Sequence, residues 1–325
     1  MKIVHLISSQ IFAGIEQHVY ELSSIMSKES KQVIICDEGI HHYMDGVQTT
    51  SLNIGSRYSP LNVYKIVKYL KKNNISILHC HGAKASFIGK GIKVFSGIKV
   101  VCTIHGHKKN NFNFSNMDAV IGVNKLLIEN IPNGTFIPNW FNPSHAGERS
   151  SRSGPIIAVG RLEKVKGFDQ LIKSWININE HLEIIGSGPD EKILNDLIKD
   201  LNLTERIKIV TNCNYSSIED KYKTASGLIV SSLREGGPRV VLEAINHEIP
   251  VLGSSVGIIP DLIPSECLSE SGNQKALQIL LEEMVPLLSQ FNMEGVKSAL
   301  IENYSVTSAA KKTMQIYEAL LKASS

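Results

Sequence analysis

Cysteine is scarce in this chain, and what there is has no pattern. The 325 residues hold five, at Cys36, Cys80, Cys102, Cys213 and Cys267, an odd number with no Cys-x-x-Cys pair. A disulfide frame or zinc-thiolate site is not expected; reduced thiols in a cytosolic protein are. No apolar run approaches the roughly 20 residues that cross a bilayer as a helix, which excludes an integral helical membrane protein. The opening MKIVHLISSQ has too short an apolar stretch for a signal peptide and carries His5, so a buried first strand is expected there. No strand candidate runs into Gly-x-Gly-x-x-Gly, so a nicotinamide or flavin dinucleotide site is not expected. Aromatics are 6% of residues and do not interleave with the basic ones in a stripe. With a net charge of only +3, this speaks against nucleic-acid binding.

What is present is an ordinary globular balance, 42% apolar and 20% charged, in a chain long enough for two cores. Short β-branched runs alternate with helical stretches: Lys2–Ile7, Val33–Cys36, Ile75–Cys80, Val100–His105 and Ala119–Val123, then Ile156–Gly160, Leu182–Ile185, Ile207–Val210, Leu228–Ser231 and Pro250–Gly253. Such alternation predicts an α/β protein of parallel sheets with helices on both faces. Between the two series lies NWFNPSHAGERSSRSGP, Asn139 to Pro155, polar and rich in Ser, Gly and Pro, and it reads as an interdomain linker. The expected division is a Rossmann-like domain over 1–145, a second over 146–305, and a carboxyl-terminal helix within 306–325 that packs back on the first domain or caps the second. Two such domains would set the carboxyl ends of their strands across a cleft, where ligands bind. Charge is unevenly shared. Residues 1–145 carry 15 Lys+Arg against 8 Asp+Glu, leaving 19 against 23 for the rest. The basic half suits an anionic lipid surface or a phosphate-bearing acceptor, and NVYKIVKYLKK at 62–72 reads as a helix with apolar and lysine faces, which a merely solvated face would share.

Chemistry concentrates at strand ends. In SSLREGGPRVVLEAINHEIP, residues 231–250, Glu235 and Glu243 flank a Gly236-Gly237-Pro238 turn that leads from a buried strand into a helix over Val240 to Asn246. Glycines there admit a ligand to the backbone, and the helix start, with Arg239 and Val240, offers N–H groups to an anion. Two carboxylates nearby suit paired hydroxyls, as on a ribose and a hexose flanking a diphosphate. Arg161 and Lys166 in VGRLEKVKG can converge on one diphosphate, the arginine as a planar fork and the lysine as a mobile point charge. Ile184-Ile185-Gly186-Ser187-Gly188-Pro189 is a further glycine turn, expected near the nucleotide. Thr103-Ile104-His105-Gly106 delivers an imidazole to the same side of the first domain. His79 and His81 alternate along a strand and point one way, but without a third ligand at useful spacing no metal site is expected.

Together EGGPRVVLEA, VGRLEKVKG, the GSGP turn, THG at 103–106 and AGIEQHV at 13–19 resemble the retaining glycosyltransferases of family 4, which have the GT-B fold of two facing Rossmann-like domains. The likeness runs over nearly the whole chain, with the motifs in family order. It implies that Arg161 and Lys166 bind the donor diphosphate, that Glu243 binds the ribose hydroxyls, and that Glu235 with the amides after it holds the transferred sugar. It also implies His105 beside that sugar, and Gly14 letting the first loop approach donor and acceptor. Two departures stand out: Ala13-Gly14 where many relatives have two glycines, and a short HGHKKNNFNFSNM between His105 and Asp118. Lys108, Lys109, Phe112 and Phe114 in that segment either meet a lipid-linked acceptor or form a polar loop over buried rings.

The chain has no Asp-x-Asp, the pair with which metal-dependent transferases hold a divalent cation. Arg161, Lys166 and the helix start would meet the charge that develops on a departing nucleoside diphosphate. The expectation is a metal-independent, cofactor-free transfer with retention, from a nucleotide sugar, weighted to UDP, to a glycan or lipid-linked acceptor. Such an enzyme would be cytoplasmic or peripheral on the inner membrane face, in bacterial polysaccharide or lipopolysaccharide synthesis. The competing readings are a GT-B nucleotide-sugar 2-epimerase and a non-catalytic nucleotide-sugar-binding protein.

Overall fold

Runs rich in Val, Ile and Leu become strands, and the stretches between them that repeat an apolar residue every third or fourth position become helices. The computed structural model describes residues 1–323 other than 53, 55, 107–113, 115, 144–151, 212 and 214. The chain forms two compact units, Met1–Trp140 with Asn303–Ser325, and Phe141–Glu302. In the first, β1 (Lys2–Leu6), α1 (Gly14–Met26), β2 (Lys31–Cys36), β3 (Thr49–Ser51), α2 (Pro60–Lys72), β4 (Ile77–His81), α3 (Gly82–Ser96), β5 (Lys99–Ile104), β6 (Ala119–Gly122) and β7 (Gly134–Phe136) follow in turn. The sheet order is β3-β2-β1-β4-β5-β6-β7, every pairing parallel. The second unit holds β8 (Ile156–Val159), α4 (Phe168–Ser174), β9 (Leu182–Ile185), α5 (Glu191–Asp200), β10 (Ile207–Val210), α6 (Tyr215–Thr224), β11 (Gly227–Val230), α7 (Arg239–Asn246), β12 (Val251–Ser254), β13 (Leu268–Ser269) and α8 (Gln274–Met284). Its parallel order is β10-β9-β8-β11-β12-β13. After α9 (Met293–Tyr304), the last helix, α10 (Val306–Lys322), belongs to the first unit.

The strand order changes direction at β1/β4 in one sheet and at β8/β11 in the other, and the loops beyond those strands are where an open parallel sheet takes ligands. Alternation along β4 divides the first core. Leu78 and Cys80 pack with Ile66 and Leu70 of α2 and Ile88 and Ile92 of α3. Ile77, on the other face, joins Ile3, Val101 and the α10 residues Val306, Met314 and Tyr317. His79 and His81 share that second face. Of the two places open to the carboxyl-terminal helix, it takes the one against α1 and the first sheet.

The opening of the expected linker is core instead. Asn139, Trp140 and Phe141 are buried; the indole N–H of Trp140 donates to Glu21 Oε2 at 2.7 Å, and Asn139 Oδ1 meets His18 Nδ1 at 3.2 Å. The rest of that segment lies largely outside the described residues, as do Lys108, Lys109 and Phe112, while Phe114 is buried in the first core. All five cysteines are free. No described helix is long and apolar enough to cross a membrane.

Candidate active site

In the second unit β8 and β11 lie side by side, so the segments that follow them, 160–167 and 231–238, emerge together at the point where the strand order reverses. They also touch. Gly167 sits at φ +64, and a Cβ there would come within 2.2 Å of Ser231 O, so only glycine lets the two backbones meet. Leu233 N–H donates to Val165 O at 2.8 Å and Ser231 Oγ to Lys166 O at 2.9 Å. This contact delivers Lys166 to Glu235. The ammonium lies 2.6 Å from Glu235 Oε1, and Ser232 Oγ donates to the same oxygen at 2.6 Å. Both partners are largely buried, at 22% and 10% side-chain exposure.

Arg161 is differently employed. Its guanidinium is 2.6 Å from Glu163 and 74% exposed, whereas Lys166 is paired with Glu235. Gly236 and Gly237 are half-buried, Pro238 precedes α7, and Arg239 and Val240 form its first turn, one residue earlier than expected. One turn further, Glu243 is held from two sides. Tyr222 OH donates to its Oε2 at 3.1 Å, and Arg239 Nε lies 3.6 Å from its Oε1. Tyr222 itself stacks on His247, with ring centroids 5.7 Å apart. Ser232 and Tyr222 were not expected; the serine adjoins the motif, while the tyrosine comes from α6 with no local signal. Gly188 has its own structural reason. A Cβ there would lie 2.4 Å from Leu162 O, in the contact where Leu162 N–H donates to Ser187 O. A cavity of about 610 Å³ opens at the opposite, amino-terminal edge of this sheet, lined by Pro155, Leu182 and Ile207 among others, and it holds none of the motif residues.

In the first unit the structure assembles what sequence spacing showed only as a pair. His5 on β1 is the register neighbour of His79, and His81 that of Thr103. His105, just past β5, is half-buried and continues the same face. A directed chain of hydrogen bonds results. Gln32 gives its amide N–H to Ser30 Oγ at 2.6 Å, which leaves Oε1 to accept from His5 Nε2 at 3.0 Å. His5 Nδ1 then accepts from His81 Nε2 at 3.0 Å, and His81 Nδ1 accepts from His105 Nε2 at 3.4 Å. His79 places Nε2 2.7 Å from Thr103 Oγ1 and Nδ1 2.5 Å from Tyr317 OH. His18, on α1, meets His105 edge to face at 4.5 Å.

Burial lowers the pKa of His5 to about 4, and burial followed by neighbouring imidazoles holds His79 and His81 well below the ordinary range. These three rings are neutral at physiological pH. His5, His79 and His81, and again His18, His81 and His105, have nitrogens close enough to hold a metal ion, so a third ligand does exist, brought from other strands. Both ring nitrogens of His5, His79 and His81 are nonetheless engaged within the protein, and a metal would have to displace those bonds. Gly14 opens α1, where Glu16 accepts from the Ala13 N–H at 3.0 Å and burial raises its pKa; nothing lies within 4 Å of the position a Gly14 Cβ would take.

Two family models fall on these two halves. Residues 146–286 match "Glycosyl transferases group 1" and residues 12–126 match "Glycosyltransferase Family 4". The chain belongs to these glycosyltransferases. It is similar, at 24% identity over 96% of its own length and 80% of the relative's, to a component of the Arabidopsis thaliana phosphatidylinositol N-acetylglucosaminyltransferase. A shorter match, 32% identical, covers 30% of this chain and 28% of the amylovoran biosynthesis glycosyltransferase AmsD of Erwinia amylovora. Among solved structures, a Rickettsia africae glycosyltransferase superposes with a TM-score of 0.85 at 18% identity, covering 99% of this chain and 98% of that one. Anabaena HepE in complex with UDP and glucose does so at 0.82 and 15%, over 98% and 100%. This glycosyltransferase therefore has the GT-B fold expected from its motifs.

Proposed function

We propose that this glycosyltransferase moves a sugar from a nucleoside-diphosphate sugar, a UDP-sugar in the first instance, to a hydroxyl of a glycan or lipid-linked acceptor, with retention and without a divalent metal. The observation that carries the reading is the buried Lys166–Glu235–Ser232 cluster at the strand-order reversal of the second sheet, beside the start of α7. As the bond between the anomeric carbon and the phosphate oxygen breaks, negative charge grows on the departing diphosphate. Lys166, the amides that open α7, and Arg161, which leaves Glu163 to do so, meet that charge. Glu235 takes hydroxyls of the transferred sugar and Glu243, oriented by Tyr222 and Arg239, takes the ribose pair. His105, held in one tautomer by His81, acts in the same reaction. Support for UDP comes from the HepE complex and support for a lipid acceptor from the phosphatidylinositol in the name of the Arabidopsis relative. Five free thiols fit a reducing, cytoplasmic location.

Calorimetric titration of UDP, GDP, ADP and CMP, each without metal and then with magnesium, against wild type and Glu243→Ala, tests the site. Metal-free binding of one diphosphate, weakened by the substitution, is the expected result. Binding of none would overturn the reading. The anomeric configuration of the product, read by NMR, tests retention separately.

A further inference from the structure

Between Asp45 and Asp118 the chain has eleven Lys and Arg and not one Asp or Glu. Of these, Arg57 precedes α2, Lys65, Lys68, Lys71 and Lys72 lie on α2, and Lys84, Lys90 and Lys93 lie on α3, while Lys93 and the β5 residue Lys99 pair with Asp118 and Lys108 and Lys109 lie outside the described residues. Those two helices pack together and leave a groove of about 840 Å³ between them. Tyr58, Val63, Tyr64, Val67, Phe87 and Phe95 give it an apolar lining, and Arg57 and Lys90 stand in its wall. Its rim is unusually exposed for rings and aliphatics: Tyr58 66%, Tyr64 63%, Phe95 70%, with Leu61 at 67% and Val94 at 75% alongside. Arg57 lies 5.0 Å from the Tyr58 ring centre. Lys65, Lys68, Lys71 and Lys72 are exposed on α2 itself.

Exposed apolar surface of this extent marks an interaction site. Protein partners are met by surfaces depleted in lysine, whereas rings that sit at headgroup depth, flanked by lysines with no carboxylate to repel phosphate, suit an anionic bilayer. We propose that the α2–α3 face is a docking surface for an anionic lipid bilayer, with Tyr58, Tyr64 and Phe95 at the boundary between headgroups and acyl chains and the α2 lysines on the lipid phosphates. The proposal goes beyond the transferase reading and stands on the first unit alone.

Flotation of the full chain with phosphatidylcholine vesicles, with and without phosphatidylglycerol, tests it. Wild type should bind the phosphatidylglycerol vesicles, less so as salt is raised. Phe95→Ser and Tyr64→Ser should each weaken binding about tenfold, and Lys65→Glu or Lys68→Glu roughly fivefold or more. Because all four side chains are exposed, thermal unfolding should be unchanged, and UDP titration of the same variants keeps the donor site out of the comparison. Absence of binding to either vesicle, or binding indifferent to both ring substitutions, would overturn the proposal. So would a wild-type dimer, seen by light scattering, that the ring substitutions dissociate, since the face would then be an interface between two copies.

Discussion

Desolvation decides how the histidines of the first unit behave. His5 is fully buried and its pKa falls from 6.5 to about 4, so the unfolded chain takes the proton first as pH drops. The stability contributed by its neutral form is complete above about pH 6.5 and is lost on acidification down to about pH 4, at about 1.4 kcal/mol per unit or roughly 3 kcal/mol in all. His79 and His81 act in the same direction. His5→Gln, whatever it costs at neutral pH, should lose less stability on acidification than wild type. Equal slopes in urea unfolding series would show that His5 is not responsible. At Lys166 the question is kinetic. If Lys166 meets the departing diphosphate as proposed, Lys166→Ala removes a cation whose partner charge is greatest in the transition state, so kcat should fall by about 10²–10³ while donor affinity changes far less. Equal losses in both would count against the assigned role. Residues were legible as candidates when a motif carried them, as for Lys166, Glu235 and Glu243. His5 was not, because its hydrogen-bond partner on β4, His81, is 76 residues away, and parallel pairing leaves no local trace.

At the level of elements, the central strands were legible to within a residue or two because each is a buried run flanked by turns. The short edge strands β3, β7 and β13 were not: Thr49–Ser51, Gly134–Phe136 and Leu268–Ser269 are two or three residues long and lack the buried apolar pattern. The glycine turn after β9 shows how an element can be read correctly while its packing role goes unread. Gly188 was expected near the nucleotide, and it is also where that turn rests on the Leu162 backbone, within the loop that carries Arg161 and Lys166. Gly188→Ala should therefore lower the unfolding temperature and weaken nucleoside-diphosphate binding together, by about 1–3 kcal/mol of stability as for other overpacked sites. A fall in affinity at an unchanged unfolding temperature would instead make Gly188 a ligand contact only.

On the scale of the whole molecule, the first unit is discontinuous, and sequence could not say so, because the apolar stripe of α10 fits any sheet face of suitable width. What keys it is Tyr317, fully buried with its hydroxyl on His79, 238 residues away. Val306, Met314 and Tyr317 join a core built on Ile3, Ile77, Val101 and Trp140. Full burial of such side chains contributes about 1.5–3 kcal/mol each, and leaving His79 Nδ1 without its partner costs roughly 1–3 kcal/mol more. Against a total stability of about 5–15 kcal/mol for a domain, loss of α10 removes most of the margin. A fragment ending at Trp140 should lack a cooperative unfolding transition and bind a hydrophobic dye. The same fragment joined through a long flexible Gly-Ser linker to residues 303–325 should regain the transition, and within that fusion Tyr317→Phe should lower its midpoint. A cooperative, wild-type-like transition in the fragment alone would mean that the last helix covers this unit without holding it together.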